Sequence, residues 1–294
     1  MLSRFPLSLG VLASLIAMSH PAPASDVPRP ESAPAIEAPA ETLRFDLYQG
    51  FVIVVHGSAG SLKNLNFFLD TGTNHSTFDS AIASKLNLRD QEPSDVVMLG
   101  GREQAVDAVL PTLRFGPVEQ SDLEIITADL SFFRKALPVR IDAIVGLDVL
   151  GQRPFVIDYS TRTIRFGPSP PLAITVPLRR DDGLAIFDAE IDHRHVRLAF
   201  DTGAGTLVLF NTDSAPRPVP DTASGTENLA NFESKQVELR SLRVGSEEFR
   251  QKQARLTRNP TPSQLDYDGL MSPAALGISR VSVNLAEGVL TFSR

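Results

Sequence analysis

Two short stretches of this chain carry the residue types for acid–base chemistry. Asp70-Thr71-Gly72 and Asp201-Thr202-Gly203 lie 131 residues apart, and each directly follows an apolar run, Leu65–Leu69 and Val196–Phe200. One such triplet is an ordinary β-turn, because Asp, Thr and Gly all favour turns. Two at matching places mean more. If the segments that carry them pack about a twofold axis, Asp70 and Asp201 face one another. Two carboxylates that close do not both ionise cheaply, so they share one proton and titrate as a pair. The ionised member takes a proton from a bound water while the protonated member polarises a carbonyl. The glycines keep side chains away, so that an extended substrate can approach. This is hydrolysis that needs no metal, no cofactor and no covalent intermediate.

The elements that must position the two aspartates repeat with them. Leu65–Thr73 matches Val196–Ala204 at an offset of 131. Leu113-Arg114-Phe115-Gly116 matches Leu242-Arg243-Val244-Gly245 at 129, and Asp158–Phe166 matches Asn284–Phe292 at 126. Asp142–Leu147 has a looser echo in Asp266–Leu270. Blocks recurring in one order mark a duplication, with one lobe over 43–168, a second over 169–294, and Pro168-Ser169-Pro170-Pro171 between them. Within the first lobe, Phe51–His56 and Leu65–Leu69 read as strands, with Gly57–Ser61 as their hairpin connection. Asp79–Leu88 reads as a short helix with Ile82 and Leu86 on one face. Elsewhere turn residues recur every eight to twelve positions, the spacing of an all-β sandwich or barrel. Two repeats are too few for a solenoid, so pseudo-twofold pairing is expected.

The triplets and their surroundings resemble the aspartic proteases, both the retroviral and the pepsin-like type, over nearly all of residues 43–294. The resemblance implies an all-β fold of two pseudo-twofold-related, retropepsin-like β-barrel lobes with short helices. It implies catalysis by Asp70 and Asp201. Supporting loops would be Thr71, Gly72 and Thr73 in one lobe and Thr202, Gly203 and Ala204 in the other, with Thr71 and Thr202 hydrogen-bonded across the axis. The family's apolar-apolar-Gly element is matched by Ala143–Leu150, and in the second lobe by Tyr267-Asp268-Gly269-Leu270-Met271, where Asp268 departs from the pattern. A substrate-covering flap is implied at Val96–Glu103, with Leu99, Gly100, Gly101 and Arg102 at its tip. No tyrosine lies between Tyr48 and Tyr159, so the first lobe is nearer the retroviral type. The corresponding region of the second lobe, Asn228–Ser234, has no glycine pair. The residues after the triplets differ. A Thr73 hydroxyl donating to Asp70 would favour its charged form and leave the proton on Asp201, where Ala204 has no such donor.

Composition narrows the alternatives. The 294 residues contain no cysteine, which removes disulfides, cysteine nucleophiles and iron–sulfur clusters. The net charge of -7 argues against a nucleic-acid partner. Residues 1–24 read as a signal peptide. Arg4 precedes an apolar stretch from Phe5 to Met18 that is too short for a stable membrane span, and Ala22-Pro23-Ala24 offers a cleavage site; a short buried helix is the alternative. Residues 25–42 read as a Pro/Ala-rich linker, the other option being a pro-segment, although Arg29 is its only basic residue. His56-Gly57-Ser58-Ala59-Gly60 lacks the partner elbow of a serine hydrolase. His193 and His195 lack further metal ligands and read as a solvated hairpin turn. Asn74-His75-Ser76 reads as local hydrogen bonding. The expectation is an exported, periplasmic or secreted, single-chain aspartic endopeptidase. It would act on peptides or unfolded proteins as a monomer of pseudo-dimeric lobes, without metal or cofactor. A peptide-binding protein that lost turnover and a structural envelope component are the rivals.

Overall fold

Val52-Ile53-Val54-Val55 and Phe67-Phe68-Leu69 are buried on both faces. Runs of apolar residues, rather than alternating ones, mark strands covered on both sides. These strands belong to a computed structural model that describes residues 15–17, 42–88, 90–98, 101–210, 234–258 and 266–294. Leu15–Ala17 pairs with Val96–Met98, and the rest of the proposed signal peptide and nearly all of the 25–42 segment lie outside the described residues. Among the described residues no helix is long and apolar enough to cross a membrane.

Each lobe closes into a six-stranded barrel with the same strand order. In the first, Val52–Ala59 pairs in turn through Leu62–Leu69, Ala143–Val145, Thr77–Asp79, Val118–Ala128 and Gly101–Phe115, which returns to Val52–Ala59 at Ser58↔Arg114 and Ala59↔Leu113. In the second, Leu184–Ile191 leads through Arg194–Phe200, Gly269–Met271, Leu207–Phe210, Glu247–Thr257 and Ser234–Val244, which returns at Glu190↔Arg243 and Ile191↔Leu242.

Barrel closure corrects one expectation. Gly57-Ser58-Ala59 are strand, not connection, and the turn is Gly60-Ser61. The register shifts between Gly57 and Ser58, where the strand bends toward Arg114. A Cβ at Gly57 would collide with the Arg114 carbonyl and the Phe67 ring, so the bulged position takes a residue without one.

A third, six-stranded sheet joins the lobes in the order Ile174–Pro177, Val289–Ser293, Arg280–Asn284, Phe155–Asp158, Thr163–Phe166, Thr42–Arg44. Its central pairs are Phe155↔Val283, Val156↔Ser282 and Ile157↔Val281. The same 126-residue offset relates Phe155 to Val281 and Ile157 to Val283, so the ladder maps onto itself about Val156 and Ser282. The pseudo-twofold axis passes there. Helices are short. Ser80–Lys85 lies within the expected segment, and Asp79 caps it by accepting from Ala81 N–H at 3.1 Å.

Among the described residues the eleven largest fully buried side chains are all phenylalanines, including Phe67, Phe115, Phe187 and Phe200. The aromatic residues of this chain therefore serve mainly as core, and edge-to-face contacts such as Phe67–Phe115 at 6.1 Å fill the first barrel.

Candidate active site

Each aspartate stands one residue past a buried strand, held by the short strand that runs parallel to it. Asp70 N–H donates to Val145 O and Asp201 N–H to Met271 O, both at 3.0 Å. The parallel pairings are Leu69↔Val145 and Phe200↔Met271. An aspartate at the foot of each short strand pins its register. Asn66 N–H donates to Asp142 Oδ2 at 2.9 Å, and Arg197 N–H to Asp268 Oδ2 at 2.8 Å.

That correspondence corrects the alignment of the second apolar-apolar-Gly element. Asp268 is the counterpart of Asp142 and does not interrupt an apolar pair. The pair is Leu270-Met271, and Ser272 stands where the first lobe has Gly146. The signal was present in the Asp158–Asn284 block, whose offset of 126 carries Asp142 to Asp268 and Gly146 to Ser272.

The two loops are cross-braced through the pseudo-twofold. Thr71 N–H donates to Thr202 Oγ1 at 3.1 Å, and Thr202 N–H donates to Thr71 Oγ1 at 3.0 Å. The hydroxyls in turn donate outward, Thr71 Oγ1 to Phe200 O at 3.0 Å and Thr202 Oγ1 to Leu69 O at 3.1 Å. With Asp70, Thr71, Asp201 and Thr202 all at 0–1 % exposure, every donor of this brace is matched by an acceptor, as burial requires.

The carboxyls are held alike. Gly72 N–H donates to Asp70 Oδ1 at 2.8 Å, and Gly203 N–H to Asp201 Oδ1 at 2.7 Å. Each glycine also faces the opposite aspartate: a Cβ at Gly72 would lie 2.5 Å from Asp201 Cγ, and one at Gly203 would lie 2.5 Å from Asp70 Oδ1. Asp70 Oδ2 is buried with no well-formed hydrogen bond from the chain. Burial, and then the charge of Asp201, push the Asp70 carboxyl well above the usual carboxylate range. The pair therefore retains a proton to a higher pH than an isolated aspartate does.

Thr73 does not do what its position suggested. Its hydroxyl donates to His75 O at 3.0 Å, so it adds no hydrogen bond to Asp70. The expectation that Asp70 is the charged partner therefore has no hydroxyl donor behind it. The Thr73/Ala204 difference is a packing exchange. A Cβ at Gly146 would meet Thr73 O at 2.8 Å and Thr73 Cγ2 at 2.9 Å. In the second lobe the smaller Ala204 leaves room for Ser272, whose hydroxyl donates to Ala204 O and accepts from Ala275 N–H at 3.3 Å. Ala204→Thr should therefore destabilise the protein by about 1–3 kcal/mol through overpacking. The same substitution made in a Ser272→Gly background should cost less, a coupling of about 0.5–3 kcal/mol measurable by denaturant unfolding of the double-mutant cycle.

Asn74 also departs from its expected local role, since its side-chain amide donates to Asp182 O of the second lobe at 3.0 Å. Of the four proposed flap residues, Leu99 and Gly100 lie outside the described residues. Gly101 and Arg102 open a strand that pairs with Asp90–Met98 at Met98↔Gly101 and Val97↔Arg102. The proposed second flap region at Asn228–Ser234 lies outside the described residues except for Ser234. His193 and His195 sit by Glu190 and Asp188 at 3.4 and 3.1 Å on a hairpin whose turn residues Asp192 and His193 have positive φ.

Residues 54–149 match the family model described as aspartyl protease. Among solved structures the chain is similar to basic 7S globulin from soybean, at 13% identity and a TM-score of 0.45 over 86% of this chain and 95% of that one. It is also similar to a retropepsin-like aspartic protease from Rickettsia conorii, at 17% identity and a TM-score of 0.30 over 40% of this chain and 87% of that one. A search of curated proteins returns no match. The fold is aspartic-protease-like, and the family match points to protease-type function.

Proposed function

We propose that this chain is an exported aspartic endopeptidase that hydrolyses peptide bonds with a water activated between Asp70 and Asp201. The observation that carries the reading is the buried, cross-braced pair: two carboxyls on equivalent loops, each anchored through one oxygen by its own glycine amide. A structural or purely binding role gives no reason to bury two facing carboxyls, whose mutual repulsion and desolvation both oppose ionisation.

In the proposed reaction the singly protonated pair holds a water against the scissile carbonyl. The charged carboxylate takes one proton from the water as its oxygen attacks the carbonyl carbon, and the protonated aspartate gives its proton to the carbonyl oxygen. Collapse of the tetrahedral diol breaks the C–N bond: the protonated aspartate gives its proton to the leaving nitrogen while the charged one takes a proton from a diol hydroxyl, which restores the singly protonated pair. Gly72 and Gly203 hold the carboxyls in place throughout, and the crossed threonines keep the loops from separating. The substrate would be an extended peptide, covered by the hairpin Asp90–Met98 and Gly101–Phe115.

Export follows from the order of charge, apolar run and small-residue site in residues 1–24, with 43–168 and 169–294 as the two lobes of one monomeric unit. The test is incubation of the protein lacking residues 1–24 with casein between about pH 3 and about pH 7. Cleavage is expected on the acidic side of neutrality. No cleavage at any pH, together with saturable binding of unfolded peptides, would replace this reading by that of a peptide-binding protein.

A further inference from the structure

The loop after Asp70 carries two polar ties that have no counterpart in the loop after Asp201, where the Ser272 hydroxyl donates to Ala204 O instead. From beneath, the half-buried Asp148 accepts Ser76 N–H and Ser76 O–H at 2.8 Å each and Val149 N–H at 3.0 Å. From across the lobes comes the bond from Asn74 Nδ2 to Asp182 O. The second-lobe turn is shaped to receive it. Asp182 and Gly183 have φ of 45° and 77°, and a Cβ at Gly183 would lie 2.9 Å from Asn74 Cβ, so the close approach depends on that glycine.

On the other side of the pseudo-twofold the same contacts have no atoms to make them. The 131-residue offset places Gly205 opposite Asn74 and Leu207 opposite Ser76, and the 126-residue offset places Ala274 opposite Asp148. Gly205 has no side chain, and Leu207 and Ala274 have no polar side-chain atom.

We propose that Asn74 is a positioning residue. By tying the loop after Asp70 to the Asp182 carbonyl, with Asp148 bracing Ser76 below, it holds that loop, and Asp70 with it, against the second lobe. An amide donor suits this task because it keeps its proton at every working pH. The kinetic consequence rests on the peptidase reading; the tie itself does not.

Asn74→Asp separates the two. The new carboxyl has the shape of the amide but donates only when protonated. In the full chain, kcat is expected to fall about tenfold with KM within about twofold, and the loss should deepen as pH rises through the ordinary carboxylate range. Hydrogen exchange should quicken in residues 70–76 and in residues 179–186 of the other lobe, while the barrel strands keep their protection. Unchanged exchange over 179–186, or an unchanged kcat in a parent that cleaves, would overturn the proposal. If the parent cleaves nothing, the peptidase reading fails, and the exchange comparison alone decides whether the lobes are tied through Asn74.

Discussion

Asp70→Asn and Asp201→Asn are each expected to lower the rate of casein cleavage by at least about a hundredfold, because each removes one half of a shared acid–base pair. The two losses should not add in the double variant, since one proton serves both residues. Full activity in either single variant would sink the two-aspartate mechanism. Asp70→Asn also makes a prediction that needs no substrate. Burial and the charge of Asp201 raise the Asp70 carboxyl above its value in the unfolded chain, so the folded form binds a proton more readily. That contribution to stability is fully present below the ordinary carboxylate pKa and is lost as pH rises through the raised value. The asparagine amide neither charges nor titrates, so the variant should gain on the parent in Tm as pH rises from about 4 to about 7. Asp148 is raised as well, by burial, but it is common to both proteins and drops out of the difference. A Tm difference that is flat with pH, or that runs the other way, would show that burial does not raise the Asp70–Asp201 pair.

The second large effect is expected from Gly203→Ala. An added Cβ would fall 2.5 Å from Asp70 Oδ1, a separation that unbonded atoms do not adopt, and its other neighbours are the remaining atoms of the same carboxyl. The Asp70 side chain is fully buried and its Oδ1 is held by Gly72 N–H, so it has no free direction in which to yield. The loops must part instead, which strains the crossed Thr71–Thr202 bonds. Displacing a reacting group by about 1 Å costs on the order of a hundredfold in rate, and overpacking of a buried site costs about 1–3 kcal/mol. Gly72→Ala is the mirror experiment, with Asp201 Cγ at 2.5 Å. Near-parent kcat in both, measured beside thermal unfolding, would mean that the carboxyls do not need their present separation.

Much of the architecture was legible from pattern. The repeated blocks announced two equivalent units, and apolar runs ending in Asp-Thr-Gly announced strands that deliver a carboxyl to a turn. What misled the reading was always a residue whose role depends on a distant segment. Gly57 looks like a turn glycine, but the Arg114 carbonyl, brought by barrel closure, makes it a bulge. Gly269 looks like the partner of Gly146, but parallel pairing with Arg194–Phe200 makes Ser272 that partner. Thr73 is close in sequence to Asp70, yet its hydroxyl turns to His75 O.

By itself the sequence determined that Asp70 and Asp201 are equivalent, strand-ended and set in glycine turns, because periodicity and turn chemistry act over a few residues and duplication copies them. Only the tertiary structure decided that the Thr73 hydroxyl turns to His75 O, that burial raises the facing Asp70–Asp201 pair, and that Asn74 reaches the other lobe while its counterpart Gly205 cannot. A short polar side chain bonds whatever backbone arrives within about 3 Å of it. For Asn74 that backbone is Asp182, 108 residues further along the chain. Barrel closure and the pseudo-twofold put it there, and neither can be read from the residues around Asn74.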